Sequence, residues 1–344
     1  MTARLMARPP LLLTPVEGPP APAPRASEPR IVALGGGTGL PVVLRGLKDL
    51  RPRATKEQLT AIVATSDDGG SSGRLRAAYR VPPPGDIRNC LLALAAGDPR
   101  LAAMFDFRFG GDGDVAGHSL GNLILTALAE LEQDFASAVA QSGDLLAIRG
   151  RVLPGTLEPV SLSAELDDGS RVEGESQIAG WRRHVRWVAL RPATASLSSE
   201  ARGALETADL VVIGPGSLYT SLIAVLLLQD VVEAVQRSRA RVVMVMNLMT
   251  EPGETDGHTA ADHVLAVRRH VPGLPIHDVL LNTASIPGDL LARYAAAGAQ
   301  PVPSEPELLE ALGFHSVSLD LLAAGDDVRH DPEKLARALL ERVA

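Results

Sequence analysis

The sequence predicts an α/β fold: a Rossmann-like, doubly wound, mainly parallel sheet with a small antiparallel β insertion. Three observations predict it. Apolar, strand-like runs alternate with helix-patterned segments along the chain, the order that builds a parallel sheet covered on both faces. The polar, glycine-rich motifs each follow directly on such a run, which is where open α/β sheets bind ligands. Of 344 residues, 46% are hydrophobic but only 3% aromatic, so Val, Leu, Ile and Ala fill the core, as suits strands buried on both faces.

The elements follow in order. Residues 1–29 are rich in Pro and Ala and have no apolar period, so they are expected to be disordered or extended. The folded domain spans 30–330. Its first strand, Ile31 to Leu34, flows into Gly35, Gly36, Gly37, Thr38 and Gly39, with Pro41 in the first turn of a helix, where a missing N–H is lost anyway. Leu59 to Thr65 is a second strand, ending in SDDGGSSGRLR. Helical patterning returns over Asp86 to Ala96 and Ser119 to Leu131. About 145–190 reads as the β insertion, because polar and apolar residues alternate around Asp168-Gly169, a hairpin signal. Ser199 to Ala208 is a helix, Asp209 to Ile213 a strand before GPGSLYTSL, and Gln229 to Arg239 a helix. Val242 to Met246 is a strand before NLMTEPGETDGHTAADH, Val279 to Leu281 another, and 331–344 a closing helix.

Composition narrows the function. Net charge is −8 with no long basic run, which argues against nucleic acid as a partner. The single cysteine, Cys90, excludes a disulfide within the chain and a cysteine-built metal site; it sits in an apolar run and reads as buried. A reducing cytoplasm is the expected compartment. No apolar run reaches transmembrane length, and Leu11 to Leu13 is too short for a signal-peptide core, so no membrane insertion is expected.

The motifs carry the chemistry. Strand, glycine turn and helix amino terminus bind phosphate, because glycines admit an anion close to backbone N–H groups. Gly36, Gly37, Thr38 and Gly39 are therefore candidate phosphate contacts; an empty βα turn is the plain alternative. Neither GxGxxG nor a Walker lysine is present. Asp67 and Asp68 end the second strand and suit a ribose hydroxyl or Mg²⁺, although Asp-Asp-Gly-Gly is also ordinary turn chemistry. Ser71 adds a hydroxyl, and Arg74 can neutralise a diphosphate or simply solvate a helix start. Asp86 and Asn89 follow a proline run, with Asp86 placed to cap a helix. In GHSLGN, Ser119 is an N-cap, and His118 stands at the positive helix end as a neutral imidazole, near Asn122. Gly214, Gly216 and Ser217 repeat the strand–glycine–helix arrangement. Asn247 and Thr250, with Glu251, Glu254, Thr255 and Asp256, form a polar loop suited to a sugar or base, or merely to solvent.

Taken together, GGGTGL, SDDGGSSGRLR, PPGDIRNC, GHSLGN, VLPGTLEPV, GPGSLYTS and MTEPGETDGHTAADHV resemble the gluconeogenesis factor (YvcK) family, the bacterial branch of the CofD-like superfamily. The similarity runs from about Arg30 to His330. It implies a cytoplasmic, Rossmann-like protein that binds UDP-N-acetylglucosamine or UDP-glucose, requires no cofactor, and is tied to cell shape on gluconeogenic carbon. A cell-wall synthesis enzyme is the expected protein partner and a homo-oligomer the expected assembly. On that reading the diphosphate lies on Gly36 to Gly39, with Thr38 and Ser217 donating hydrogen bonds. Asp67 or Asp68 takes ribose or Mg²⁺, and Asn247 and Thr250 orient base or sugar. The related 2-phospho-L-lactate transferase branch makes Asp68 the candidate metal ligand and a Mg²⁺-dependent transferase the alternative. The chain departs from that branch at Gly214-Pro215-Gly216-Ser217 and at MTEPGETDG.

Overall fold

The computed structural model describes residues 28–180 and 184–343; the expectation for residues 1–27 lies outside them. Seven strands form the main sheet: β1 (Ile31–Gly35), β2 (Leu59–Val63), β3 (Arg151–Pro154), then β7 (Leu210–Ile213), β8 (Arg241–Val245), β9 (Asp278–Asn282) and β10 (His315–Leu319). Between the two groups lie β4 (Ser161–Leu166), β5 (Arg171–Glu173) and β6 (Val185–Arg191), which make a separate antiparallel sheet in the order β5-β4-β6.

The main sheet is ordered β10-β9-β8-β7-β1-β2-β3, and every pair is parallel. The chain winds outward from β1 to β3, then returns to β7 on the other side of β1 and winds outward again. The switch point therefore falls between β1 and β7, where Ile31 pairs with Leu210 and Leu34 with Ile213. The expected doubly wound, Rossmann-like fold is the fold observed.

The strands are apolar throughout because successive side chains enter different cores. Val32, Leu34, Val211 and Ile213 face the antiparallel sheet and the helices Ser199–Glu206, Val231–Ser238 and Ala260–His270. Ile31, Ala33, Leu210 and Val212 face the helices Gly39–Leu50, Gly85–Leu94 and Pro332–Leu340. The closing helix lies so close to Gly39–Leu50 that a Cβ on Gly46 would stand 1.9 Å from the Pro332 carbonyl oxygen.

Two local departures have physical reasons. The insertion is shorter than its expected span, because Arg151–Pro154 pairs in parallel with β2 as the edge of the main sheet. GGSSGRLR, a glycine-rich stretch with the look of a loop, instead opens the helix Gly70–Tyr79. Only Ser71, Ser72 and Leu75 of that helix are buried, so it has no apolar stripe to betray it.

Candidate functional site

The glycine loop leaves β1 at the switch point. Gly37 adopts φ +60°, and Gly39 approaches the turn after β7 so closely that a Cβ would lie 2.2 Å from the Pro215 carbonyl oxygen. Thr38 takes the N-cap position of Gly39–Leu50, and its hydroxyl makes no capping bond. That leaves an exposed hydroxyl and the first helical amides at the loop's rim, a ready anion seat.

A different group already holds the deepest amide. Gly37 N–H donates to Asp86 Oδ2 at 2.7 Å. Asp86 is therefore not the helix cap that its position after the prolines suggests; it lies within the first turn of Gly85–Leu94, and Pro84 is the N-cap. Desolvation pushes its carboxyl up to about 6, and the neighbouring Asp67 adds repulsion.

Asp67 accepts from Gly69 N–H at 2.8 Å, closing its own turn. Asp68 accepts from Ser176 N–H at 2.8 Å, so it ties the insertion to the end of β2. This brings up Glu175, which no motif or spacing in the chain singles out. Desolvation, with Asp67, Asp86, Asp68 and Glu251 nearby, raises its carboxyl to about 8. Folded Glu175 thus keeps a proton that the unfolded chain releases near 4.5, so stability falls as pH rises between those values. Glu175→Gln is expected to flatten that slope and to be more stable than wild type at about pH 8, as urea midpoints across the range would show.

On the other side of the acidic groups, Ser71, His118 and Asn122 form one buried chain. Asn122 Nδ2 donates to Ser71 Oγ at 3.0 Å, and Ser71 lies 2.8 Å from His118 Nδ1. Ser71 Oγ and His118 Nδ1 thus share one hydrogen bond whose direction is set by the imidazole tautomer. His118 is held below the usual histidine range by burial, then by the cations Arg74 and Arg108. Ser119 caps its helix as expected and also accepts from Arg88, whose other amino group donates to Asn89 at 2.7 Å. Arg74 donates to the Ala116 carbonyl at 2.6 Å. Cys90 is buried, and its thiol is pushed well above the usual range.

The turn after β7 is held from β8. Asn247 accepts from Gly216 N–H and donates to the Gly216 carbonyl, at 3.1 and 2.9 Å. Ser217 donates to Glu251 at 2.9 Å, and Thr250 Oγ1 accepts from Gln300 N–H at 2.9 Å. Buried Glu254 accepts from Tyr219 and Thr220 N–H at the start of the π-helical turn Leu218–Ile223. Burial, then Glu251, raises its carboxyl. Asn247, Thr250 and Ser217 thus spend their expected ligand-binding groups on the scaffold in this state.

The structure does bring the glycine loop, Gly216, Ser217, Asn247 and Thr250 around one cavity of about 360 Å³, closed by Tyr294, Val328, Arg329 and His330. A second cavity of about 430 Å³, over the ends of β8 and β9, shares Asn247 and Leu248 with it and adds Thr283, Ser285 and Ser304. Gly36 and Gly214 shape the two turns without lining either cavity. Arg329 and His330 arrive from beyond β10, with no motif in the sequence to mark them. Among the described residues no group of three His, Cys, Asp or Glu side chains could hold a metal ion, and no helix is long and apolar enough to cross a membrane.

The chain is an α/β protein of the doubly wound class with a glycine loop and a helix amino terminus at its switch point, the place where such sheets bind ligands. The chain belongs to the 2-phospho-L-lactate transferase CofD family, whose profile matches residues 31–322. It is similar to the gluconeogenesis factor of Listeria innocua, with 44% identity over 318 residues, 92% of this chain and 96% of that protein. The Bacillus subtilis gluconeogenesis factor is 42% identical over 315 residues, 91% and 98% of the two chains. A Bacillus halodurans protein of solved structure is 41% identical, with a TM-score of 0.87 over 91% of this chain and 100% of that one; a second structure from that organism describes a member of the upf0052 family. The family is the one the motifs resemble.

Proposed function

We propose that this protein is a cytoplasmic regulator that binds a uridine nucleotide sugar, UDP-N-acetylglucosamine or UDP-glucose, across the two neighbouring cavities. It acts as a homo-oligomer on a cell-wall synthesis enzyme to maintain cell shape during gluconeogenic growth. The single observation that carries the reading is the adjacency of the two cavities, which share Asn247 and Leu248 as lining residues, the first of them starting at the glycine loop. An elongated ligand with a charged diphosphate between two uncharged ends suits that arrangement. The diphosphate sits on the Thr38 hydroxyl and the first helical amides, with Arg329 as counter-ion, while base or sugar extends toward Thr283, Ser285 and Ser304. Mg²⁺, where present, arrives on the phosphates, since the carboxylates form no closed metal site among the described residues.

At a hundredfold excess over its dissociation constant, a UDP-sugar is expected to stabilise the fold by about 2.7 kcal/mol, seen as a rise of several degrees in melting temperature. GDP-linked compounds are expected to do less. A larger rise with guanosine conjugates would replace this reading.

A second reading, a transferase of the phospholactate type, is favoured by Asp86 and Glu175. Both have raised carboxyl pKa values, Asp86 holds the Gly37 amide of the glycine loop, and such groups cluster at sites of acid–base chemistry. Asp68→Asn separates the readings. It keeps an acceptor for Ser176 N–H, so ligand binding weakens by no more than about 1.5–3 kcal/mol and shows little dependence on Mg²⁺. A Mg²⁺-dependent product made by wild type and lost in Asp68→Asn would establish the transferase instead.

A further inference from the structure

We propose that a separate cavity behind the acidic loops is a second ligand site, one that takes a small aromatic carboxylate with a hydroxyl at its far end. The cavity, of about 300 Å³, shares no lining residue with the two described above. That volume is at the small end of natural ligand sites.

Three features specify the ligand. Thr65, at the end of β2, is 5% exposed, and its hydroxyl has no hydrogen-bond partner. An orphaned buried hydroxyl costs stability, so it calls for a partner that enters the cavity. Pro82, Pro83 and Pro159 form rigid apolar walls that lose no rotamer freedom when covered. The lining also carries Arg76 and Arg80. Arg76 donates to the Val160 carbonyl, whereas the exposed Arg80 side chain makes no hydrogen bond or ion pair among the described residues. The one acidic lining residue, Glu158, is engaged by the Ser196 amide and hydroxyl at 2.8 and 3.1 Å. The lining is therefore net cationic at its exposed side, apolar between, and hydroxylic where it is most buried. A carboxylate pairs with Arg80, a flat ring lies between the prolines, and a terminal hydroxyl meets Thr65.

The site is placed to influence the first one. Thr65 stands two residues before Asp67, and Pro83 three before Asp86. An occupant braces both acidic loops from behind.

The test uses the full chain with 4-hydroxyphenylacetate and, for comparison, phenylacetate, each titrated by ligand-observed NMR. The hydroxylated acid is expected to bind saturably with a dissociation constant on the order of 1 mM, and phenylacetate about fivefold more weakly. Thr65→Val is expected to abolish the difference between the two acids while melting at or above the wild-type temperature, because it replaces an unsatisfied hydroxyl with an apolar isostere. Arg80→Asn, which suits the left-handed backbone at φ +56°, is expected to weaken both acids about tenfold. UDP-sugar binding persists in both variants, so failure of one site is distinguishable from failure of the other. The proposal is overturned by no saturable binding of either acid at roughly tenfold above that concentration, by affinities unchanged in both variants, or by a lowered melting temperature in Thr65→Val.

Discussion

Replacing Asp278 with alanine is expected to cost about 3 kcal/mol of stability, the lower end of the range for breaking a buried ion pair. The Asp278 side chain is fully buried at the start of β9. Arg241, opening β8, grips both of its oxygens, one of them at 2.7 Å, and His315, opening β10, lies 2.7 Å away. One carboxylate thus pins three adjacent strands. Removing it leaves Arg241 without its partner, though that side chain is 26% exposed, so water recovers part of the loss. Burial raises the Asp278 pKa, but the hydrogen bonds from Arg241 and His315 outweigh it and hold the carboxyl below its usual value. Because the folded pKa is depressed, this contribution is present above about pH 4 and is lost as pH falls further. Urea midpoints should therefore separate wild type from Asp278→Ala widely at neutral pH and less so in acid.

Gly39→Ala is expected to cost about 3 kcal/mol and to abolish UDP-sugar stabilisation. Its Cβ would stand 2.2 Å from the Pro215 carbonyl oxygen and 2.6 Å from the carbonyl carbon. These are backbone atoms, so no rotamer change relieves the clash, and the glycine loop must part from the turn after β7. That seam is the switch point itself. Gly70→Ala is the control. Gly70 has φ +46°, and a Cβ added there would meet nothing within 4 Å, so its cost is confined to a left-handed alanine, about 1–2 kcal/mol. Near-equal losses in the two variants, measured by denaturation with and without ligand, would show that the close approach at Gly39 is not what holds the site.

Much of the core is legible in the chain because strand periodicity and helix caps are local. The first two strands, the Ser119 cap and the helix after Gly39 all follow from neighbours in the chain. Asp86 escapes such reasoning for the opposite cause. Its partner, the Gly37 amide, lies 49 residues away, and no spacing rule reaches that far. Arg151–Pro154 is assigned to the insertion by pattern alone, because an edge strand and a hairpin strand look alike until a partner is known.

By itself, the sequence determined the doubly wound class, the glycine loop at a strand end, and the family, since these rest on local pattern and ordered motifs. Tertiary structure decided which polar groups remain for a ligand. It spent Asn247, Thr250, Ser217 and Asp68 on backbone or neighbouring side chains, brought Glu175 to the acidic loops from the insertion, and carried Arg329 and His330 to the cavity from beyond β10. The physical reason is that hydrogen-bond capacity and desolvation are properties of a folded neighbourhood, and residues distant in the chain make up that neighbourhood.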